Sequence, residues 1–171
     1  MPVTLRSAAL ADAIAIHGLL SDIIAEGEHL MSIQAPDLAH FTRFVDANLS
    51  IGAPVWVAEK GGRVIGWCDV YPRGQDVQRH VGRLGMGLAR AHRGRGVGQR
   101  LLTATVEAAW QAGFQRLELE VFASNRAAVA LYERMGFAHE GRHRCVRRIQ
   151  EDGKDRYQDT LTMALLHPGL V

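Results

Sequence analysis

The sequence predicts an α/β fold in which helices pack against a mixed β-sheet, formed by a single domain over residues 1–171. Helix-like and strand-like periodicities follow one another in the order β-α-α-β-β-β-α-β-α-β-β, which is typical of an α/β sandwich. Glycines stand where several of these runs end. No repeat, low-complexity tract or linker rich in Pro, Gly or Ser divides the chain.

The N-terminal part of the chain predicts a strand, two helices and a hairpin. The strand covers residues 3–8, and the helix after it carries one apolar stripe. That stripe comprises Ile16, Leu19, Leu20, Ile23 and Ile24. The pair Pro36-Asp37 opens a second helix. Its expected inward positions are Leu38, Phe41, Val45 and Leu49. The run 55–71 predicts two strands joined at Gly61-Gly62.

The C-terminal part begins with a glycine-rich strand over residues 81–89. Glycine weakens a strand, so glycines repeated there indicate a bulge or a close approach to the backbone. The elements expected after it are a helix over 97–112, a strand over 116–121, a helix over 125–135, and strands over 139–149 and 156–165. Gly113 and Gly136 follow the two helices and predict left-handed caps.

Composition narrows the class of protein. Apolar residues make up 47% and charged residues 22%, with a net charge of +2, which is ordinary for a soluble globular protein. Positive charge is scattered and no aromatic stacking platform is present, so we expect a small anionic ligand and no nucleic acid. With no signal peptide and no membrane-spanning run, we expect a cytoplasmic protein without membrane contact. Cys68 and Cys145 lack CxxC spacing and predict reduced thiols.

The string HRGRGVG (92–98) predicts an anion site. Glycines at 94, 96 and 98 leave backbone amides open, and the helix that follows adds unpaired N–H groups and a partial positive charge. Arg93 and Arg95 would add further charge. A structural turn is the alternative interpretation.

Two familiar nucleotide loops do not fit this string. A P-loop needs GxxxxGK[ST], which is absent from the chain. A dinucleotide loop needs GxGxxG, but Gln99 stands where the third glycine would follow Gly94 and Gly96. Neither ATP nor NAD is favoured.

The string HEGRH (139–143) matches the zinc-protease pattern HExxH. That chemistry needs both histidines on one helical face, one turn apart. Gly136 ends a helix just before this string, and Gly141 interrupts it within a β-like run. We therefore expect no metal site.

Two motifs together resemble a known family. The loop reads R-x-x-G-x-G at Arg93, Gly96 and Gly98 after LGMGLARAH, and ASNRAAVALYERMGF (123–137) follows some thirty residues later. The pair, in this order, resembles the acetyl-CoA-dependent GNAT superfamily of N-acetyltransferases. The resemblance implies a GNAT-type, mostly antiparallel central sheet flanked by helices, with acetyl-CoA as co-substrate and no metal.

The resemblance also implies a cofactor site. In that superfamily a bulged fourth strand splays from the fifth, and the pantetheine arm pairs with its backbone in the gap. The strand residues concerned are Met86, Gly87 and Leu88. The pyrophosphate would rest on the amides of Arg93, Gly94, Arg95, Gly96, Val97 and Gly98. Asn125 would contact the cofactor, although at a helix start it can equally be the N-cap.

Acetyl transfer requires an acid, a base and an oxyanion donor. By resemblance, Tyr132 would protonate the leaving CoA thiolate, and a strand amide near Leu88 would stabilise the oxyanion. On spacing alone, Tyr132 shares a helix face with Leu131 and Met135 and is a core aromatic. Many relatives carry a basic carboxylate on the fourth strand, where this chain has Arg83. The possible substitutes are Glu26, Glu28, His29, His80, Glu118 and Glu120, and the sequence selects none of them.

The acceptor is expected to be a small primary amine. The pattern around 125–140, with the final hairpin, resembles bacterial enzymes that acetylate L-amino acids or analogues of the phosphinothricin and methionine-sulfoximine type. Attack would be direct, in a ternary complex. The alternatives are a protein N-terminal or lysine acetyltransferase, which needs an open groove, and a non-catalytic acetyl-CoA sensor. Homodimer formation is left open.

Overall fold

The computed structural model of the chain describes residues 1–74 and 76–170. Its helices are α1 (Ala13–Ala25), α2 (Leu38–Ser50), α3 (Val97–Gln111) and α4 (Arg126–Arg134). Its strands are β1 (Thr4–Ser7), β2 (Val55–Lys60), β3 (Arg63–Pro72), β4 (Val81–Leu88), β5 (Arg116–Phe122), β6 (Ala138–Glu151) and β7 (Lys154–Leu166). The predicted order of helices and strands is confirmed.

The strands form one seven-stranded sheet in the order β1-β2-β3-β4-β5-β7-β6. All neighbours are antiparallel except β4 and β5, which are parallel. Helices α1 and α2 pack with Trp67 on one face of the sheet, where they bury Ile16 and Phe41. Helix α3 covers the other face, where Leu101 and Leu102 are fully buried. The predicted mixed, mostly antiparallel sheet is confirmed.

The central strands β4 and β5 part after a short parallel contact. Their register pairs are Val81↔Arg116, Gly82↔Leu117 and Arg83↔Glu118, and the pairing stops there. On its other side β4 stays paired with β3 as far as Leu88, so residues 84–88 face β5 without a partner strand. We call this opening the β4–β5 gap. The expected splay is therefore present, but the expected bulge is not, because the β3–β4 register runs without a shift.

The glycines of β4 are explained by their neighbours on β3. A Cβ on Gly82 would lie 2.3 Å from Val70 Cγ1, and one on Gly87 would lie 2.3 Å from Trp67 Cζ3. Real Cβ atoms do not approach other atoms this closely. The close approach predicted from the glycines is thus made at these positions by side chains of the protein itself.

Most helix ends form as the sequence predicts. The Asp37 side chain caps α2 by accepting a hydrogen bond from the His40 amide at 2.9 Å. Gly113 and Gly136 have φ of 91° and 88°, which confirms the left-handed caps. One inward position was wrong: Leu38 lies at the first turn of α2 and is 41% exposed.

The C-terminal hairpin is longer than predicted. Strands β6 and β7 extend to a tight turn at Asp152-Gly153, where both residues have positive φ. The β6 strand shifts register between His143 and Arg147. Among the described residues, no helix is both long and apolar enough to cross a bilayer.

A pair of Gly→Ala variants tests the packing of β4. We expect Gly87→Ala to lower the free energy of unfolding by about 1–3 kcal/mol, because its methyl group would overlap the buried Trp67 ring. Gly18→Ala, in the exposed face of α1 with open space around it, should instead stabilise the protein by about 0.5–1 kcal/mol. Urea unfolding of both variants measures the difference, and equal stabilities would contradict this packing.

Candidate active site

The loop before α3 forms a cradle of free backbone amides. Gly94 and Gly96 have φ of 71° and 75°, and nothing lies within 4 Å of a Cβ built on either. Glycine is required there by the left-handed backbone, not by crowding. The first amide bonded into the helix is that of Arg100, which donates to the Gly96 carbonyl at 3.2 Å. The amides of residues 94–99 have no acceptor within the described chain.

This amide cradle (residues 94–99) suits an anion. Its N–H groups stand at the N-terminus of α3, which is 15 residues long, so that the helix dipole adds partial positive charge. The alternating left-handed residues give the loop the concave arrangement of amides seen in anion nests. The donor set therefore fits the pyrophosphate implied by the motif.

The Arg93 side chain is held inside the protein. Its Nη1 and Nη2 atoms donate to the two carboxylate oxygens of Glu26 at 2.7 and 2.9 Å. Its Nε donates to the Leu88 carbonyl at 2.8 Å, and its amide to Arg90 at 3.3 Å. The ion pair keeps the pKa of Glu26 below its usual range. Arg93 thus ties the end of α1 to the end of β4. The sequence predicted that its amide and its charge would both serve the cradle, but both are engaged within the protein.

The two sequence motifs meet at Gly98. A Cβ built on Gly98 would lie 3.6 Å from Leu131 Cδ2 on α4 and 3.8 Å from Met86 Cε on β4. Strand β4, the cradle and α4 are therefore in contact around one point. The structure brings together the cradle, Met86 and the helix that carries Tyr132.

Asn125 is the N-cap of α4. Its Oδ1 accepts a hydrogen bond from the Ala128 amide at 3.2 Å, so the capping role is confirmed. Its side-chain NH₂ donates to no described residue. A donor at this helix start can contact a ligand while the oxygen keeps the cap in place.

Tyr132 is buried in the core beneath α4. It is 7% exposed, and its ring lies 5.6 Å from the ring of Phe137. Burial raises the pKa of Tyr132, so its hydroxyl stays protonated throughout the working pH range. The hydroxyl therefore carries a proton, but its raised pKa makes it a weaker acid than a free tyrosine, and the described residues around it supply no charge that would lower the pKa.

The opposite face of the sheet carries a carboxylate that the sequence did not single out. Asp69 stands on β3 opposite Gly85 of β4, two residues from Trp67 and so on the α1 face. Burial raises the pKa of Asp69 to about 7. In the sequence it is one polar residue in a strand, and only the cross-strand register shows what it faces.

The six substitutes for the base lie in varied surroundings. Glu118 accepts from Arg73 at 2.9 Å and lies 3.5 Å from Arg116. The His29 Nε2 atom lies 3.7 Å from Glu26 and 3.6 Å from Glu28. His80 is exposed in a turn. Glu120 lines a cavity, described next.

A cavity of about 280 Å³ lies on the α1 face beside the β4–β5 gap. We call it the α1-side cavity. Its lining residues come from α1, the segment after it, β5 and β7: Leu20, His29, Leu30, Met31, Ser32, Glu120, Phe122 and Thr160. The Glu120 carboxylate accepts a hydrogen bond from the Thr160 hydroxyl and lies 3.4 Å from His143 Nδ1. The wall is mainly apolar, with the carboxylate of Glu120 and the polar side chains of His29, Ser32 and Thr160.

Arg147 bridges two segments that border this cavity. Its Nη1 donates to the Gly27 carbonyl at 2.8 Å, which joins the β6–β7 hairpin to the segment after α1. Its guanidinium lies 5.4 Å from the centre of the Phe122 ring, a cation–π distance. Because Phe122 lines the cavity, the Arg147 guanidinium lies next to its wall.

The HEGRH string lies on β6 and not on a helix, as the sequence indicated. His139 is hydrogen-bonded to Glu133 at 2.8 Å, and His143 approaches Glu120 on a different strand. Within the described residues, no group of three His, Cys, Asp or Glu side chains is placed to hold a metal ion.

The model of the acetyltransferase (GNAT) family matches residues 26–137, which is well over half of the chain. The chain therefore belongs to the GNAT acetyltransferase family, and the resemblance inferred from the two motifs is confirmed. Four curated relatives are matched over only 30–49% of their own length, so the chain spans about half of those proteins or less.

Other relatives are matched over most of their length. An L-methionine sulfoximine/L-methionine sulfone acetyltransferase of Pseudomonas paraeruginosa is 26% identical over 144 residues, 82% of this chain and 83% of that protein. A phosphinothricin acetyltransferase from Sinorhizobium meliloti, solved with acetyl-CoA, is 25% identical with a TM-score of 0.87, covering 98% and 90% of the two chains. A ribosomal-protein-alanine N-acetyltransferase from Brucella melitensis is 29% identical with a TM-score of 0.84, covering 95% and 99%.

A matched glycine pair tests the cradle. Gly96 and Gly62 have φ of 75° and 76°, and both have open space where a methyl group would be added, but Gly62 lies in the β2–β3 turn. We expect Gly96→Ala and Gly62→Ala to cost about 1–2 kcal/mol of stability each. Only Gly96→Ala should weaken acetyl-CoA binding, by about tenfold or more in calorimetric titration, because the amides lose their alignment. Equal affinities in the two variants would contradict the cradle.

Proposed function

We propose that the protein is an N-acetyltransferase that moves an acetyl group from acetyl-CoA to the primary amine of a small molecule, an amino acid or an analogue of one. The observation that carries this proposal is the row of free amides at residues 94–99, which begins α3 close to the unpaired edge of β4. The amide cradle binds an anion, and the edge of β4 pairs with an extended chain. Acetyl-CoA requires both, because its pyrophosphate is joined to an arm that contains amide groups.

Different groups of the chain bind the cofactor and stabilise the charge that develops during the reaction. Bound acetyl-CoA supplies an acetyl group activated as a thioester. The amide cradle binds the pyrophosphate, and Asn125 adds a side-chain donor beside it. The edge of Met86, Gly87 and Leu88 holds the arm through its backbone groups other than the Leu88 carbonyl, which is bonded to Arg93. An amide of this strand donates to the thioester carbonyl oxygen as charge develops there. For direct attack in a ternary complex, the acceptor amine must reach the thioester in the β4–β5 gap. The α1-side cavity borders this gap and would hold the acceptor.

The dimensions of the α1-side cavity support a small acceptor. At about 280 Å³ it is somewhat smaller than the range typical of drug-sized ligands. Glu120 offers a negative charge for an ammonium group, and the remaining wall is mainly apolar. The names of the Pseudomonas and Sinorhizobium relatives point to amino-acid analogues of this size.

A protein N-terminal acetyltransferase is the second candidate. The Brucella structure, at 29% identity, bears the name of an enzyme of that kind. A peptide terminus needs a groove that stays open along the chain, whereas the space beside the β4–β5 gap is a cavity of about 280 Å³. The structure therefore favours the small amine.

A panel of acceptors separates the candidates. The protein is incubated with acetyl-CoA and amino acids, amino-acid analogues, polyamines, aminoglycosides or peptides, and the free CoA thiol is measured. We expect thiol release with amino acids or their analogues. Release with peptides alone would establish the second candidate, and tight acetyl-CoA binding without release from any amine would identify a sensor.

Tyr132→Phe tests the proposed acid. Loss of the hydroxyl should lower kcat by about 10²–10⁴-fold, the usual contribution of a general acid, because the CoA thiolate would leave without a proton. Affinity for acetyl-CoA should stay near the wild-type value, since the ring and its contact with Phe137 remain. Tyr157→Phe, at a 55% exposed tyrosine of the hairpin, is the matched control. An unchanged kcat in Tyr132→Phe would make Tyr132 a core aromatic only.

A further inference from the structure

Asp69 reaches from β3 over the strand that borders the β4–β5 gap. It pairs in register with Gly85, and its Oδ1 lies 2.8 Å from the position that a Cβ of Gly85 would occupy. The carboxylate thus lies in space that any larger residue at position 85 would fill. Gly85 is also one of residues 84–88, whose edge toward β5 has no partner strand.

Strand β4 itself carries no proton acceptor on this face. Its residues there alternate as Arg83, Gly85 and Gly87, opposite Tyr71, Asp69 and Trp67 of β3. A guanidinium cannot be deprotonated in a protein, and the two glycines have no side chain. Strand β4 therefore lacks the carboxylate that many relatives carry there, and the carboxylate of Asp69 from β3 fills the space over Gly85 instead.

Two other carboxylates near this face are already neutralised by arginines. Glu118 is paired with Arg73 and Arg116, and Glu26 with Arg93. At Glu26 the guanidinium stabilises the charged form and makes the carboxylate a weaker base. Glu120, whose side chain is 37% exposed, lies across the gap on β5 and is the one remaining competitor among the acidic substitutes that line the α1-side cavity.

The surroundings of Asp69 are mainly apolar. The charged and titratable groups nearest to it in the sheet are Tyr71, Arg83 and the paired Glu118. Helix α1 presents apolar residues to the sheet: Ile16, Leu19 and Ile23. Desolvation raises the pKa of Asp69 to about 7, although hydrogen bonding to the Trp67 side chain favours the charged form.

The titratable groups of the covering helices are directed elsewhere. On α1, His17 contacts the Pro36 carbonyl at 2.7 Å and Asp22 is exposed. Glu26, directly after α1, is paired with Arg93. Those of α2 are exposed: His40, Arg43 and Asp46. The protonation of Asp69 is thus governed by its burial and by the occupancy of the gap.

We propose that Asp69 is the general base of the acetyl transfer, acting directly or through one water molecule, an inference that rests on the proposed function. An alkylammonium group has a pKa of about 10 and must lose a proton before it attacks. Asp69 takes that proton, and the amine nitrogen forms a C–N bond with the thioester carbonyl carbon. The carbonyl π electrons move to oxygen as this bond forms; they return as the C–S bond breaks, and the electron pair of that bond stays on sulfur. The thiolate takes a proton from the Tyr132 hydroxyl, and the second proton lost by the attacking nitrogen restores that hydroxyl through solvent. No oxidant or metal is needed.

Asp69→Asn tests this role in the whole protein. We expect kcat to fall by about 10²–10⁴-fold while acetyl-CoA affinity in calorimetric titration is unchanged. In the wild type, kcat should fall tenfold per pH unit below about 7, and this acid limb should vanish in Asp69→Asn. Asp22→Asn, at an exposed carboxylate of α1, controls for the amide substitution itself.

Two measurements separate a catalytic from a merely structural role. Formate added to Asp69→Ala should restore part of kcat, because a free carboxylate can occupy the vacated space. NMR titration of the side-chain carboxyl carbons, without any substrate, should show one aspartate titrating near pH 7 that disappears in Asp69→Asn. The formate rescue does not follow if Asp69 only supports the fold, and the NMR titration supports the catalytic role only if its midpoint coincides with that of the acid limb of kcat.

The outcomes distinguish this inference from the proposed function. Full activity with an intact acid limb in Asp69→Asn, and loss of the limb in Glu120→Gln, would assign the base to Glu120 and overturn the inference while the acetyltransferase stands. A wild type that binds acetyl-CoA but releases no thiol with any amine would overturn the proposed function and the base together.

Discussion

The active region depends on a strand contact that stops early. Strands β4 and β5 are parallel neighbours for three register pairs, from Val81 to Arg83, and then separate although each stays paired on its other side. The separation exposes backbone donors and acceptors in the middle of a sheet, where they are normally satisfied. An unpaired edge at this depth is costly unless something fills it, so the geometry itself indicates an extended ligand.

Glycines allow the two faces of β4 to be used differently. Gly82 admits Val70 on the α3 side, while Gly85 and Gly87 admit Asp69 and Trp67 on the α1 side. The strand is thereby packed tightly by its neighbour β3 and carries few side chains of its own into the gap. The result is a strand that offers mainly its backbone, which is what pairing with an amide-containing arm requires.

Local sequence signals predicted the helices, their caps and the cradle, because capping and left-handed turns depend on residues close in the chain. Asp37 and Gly113 are examples. Contacts between distant residues could not be predicted in this way. The Arg93–Glu26 ion pair spans 67 residues, and nothing in the loop motif shows that the guanidinium is engaged. Asp69 gains its environment from a glycine on the next strand, which periodicity along one strand cannot reveal.

The β4–β5 gap also bears on the behaviour of the protein without a ligand. A row of free backbone groups is a template for association with another chain when it lies at the outer edge of a sheet. Here the row lies between two central strands, with α3 on one face and α1 on the other. A foreign strand would have to enter edge-on between these helices. The gap therefore admits only slender, flexible molecules. This protects the protein from aggregation by strand pairing at the free edge of β4.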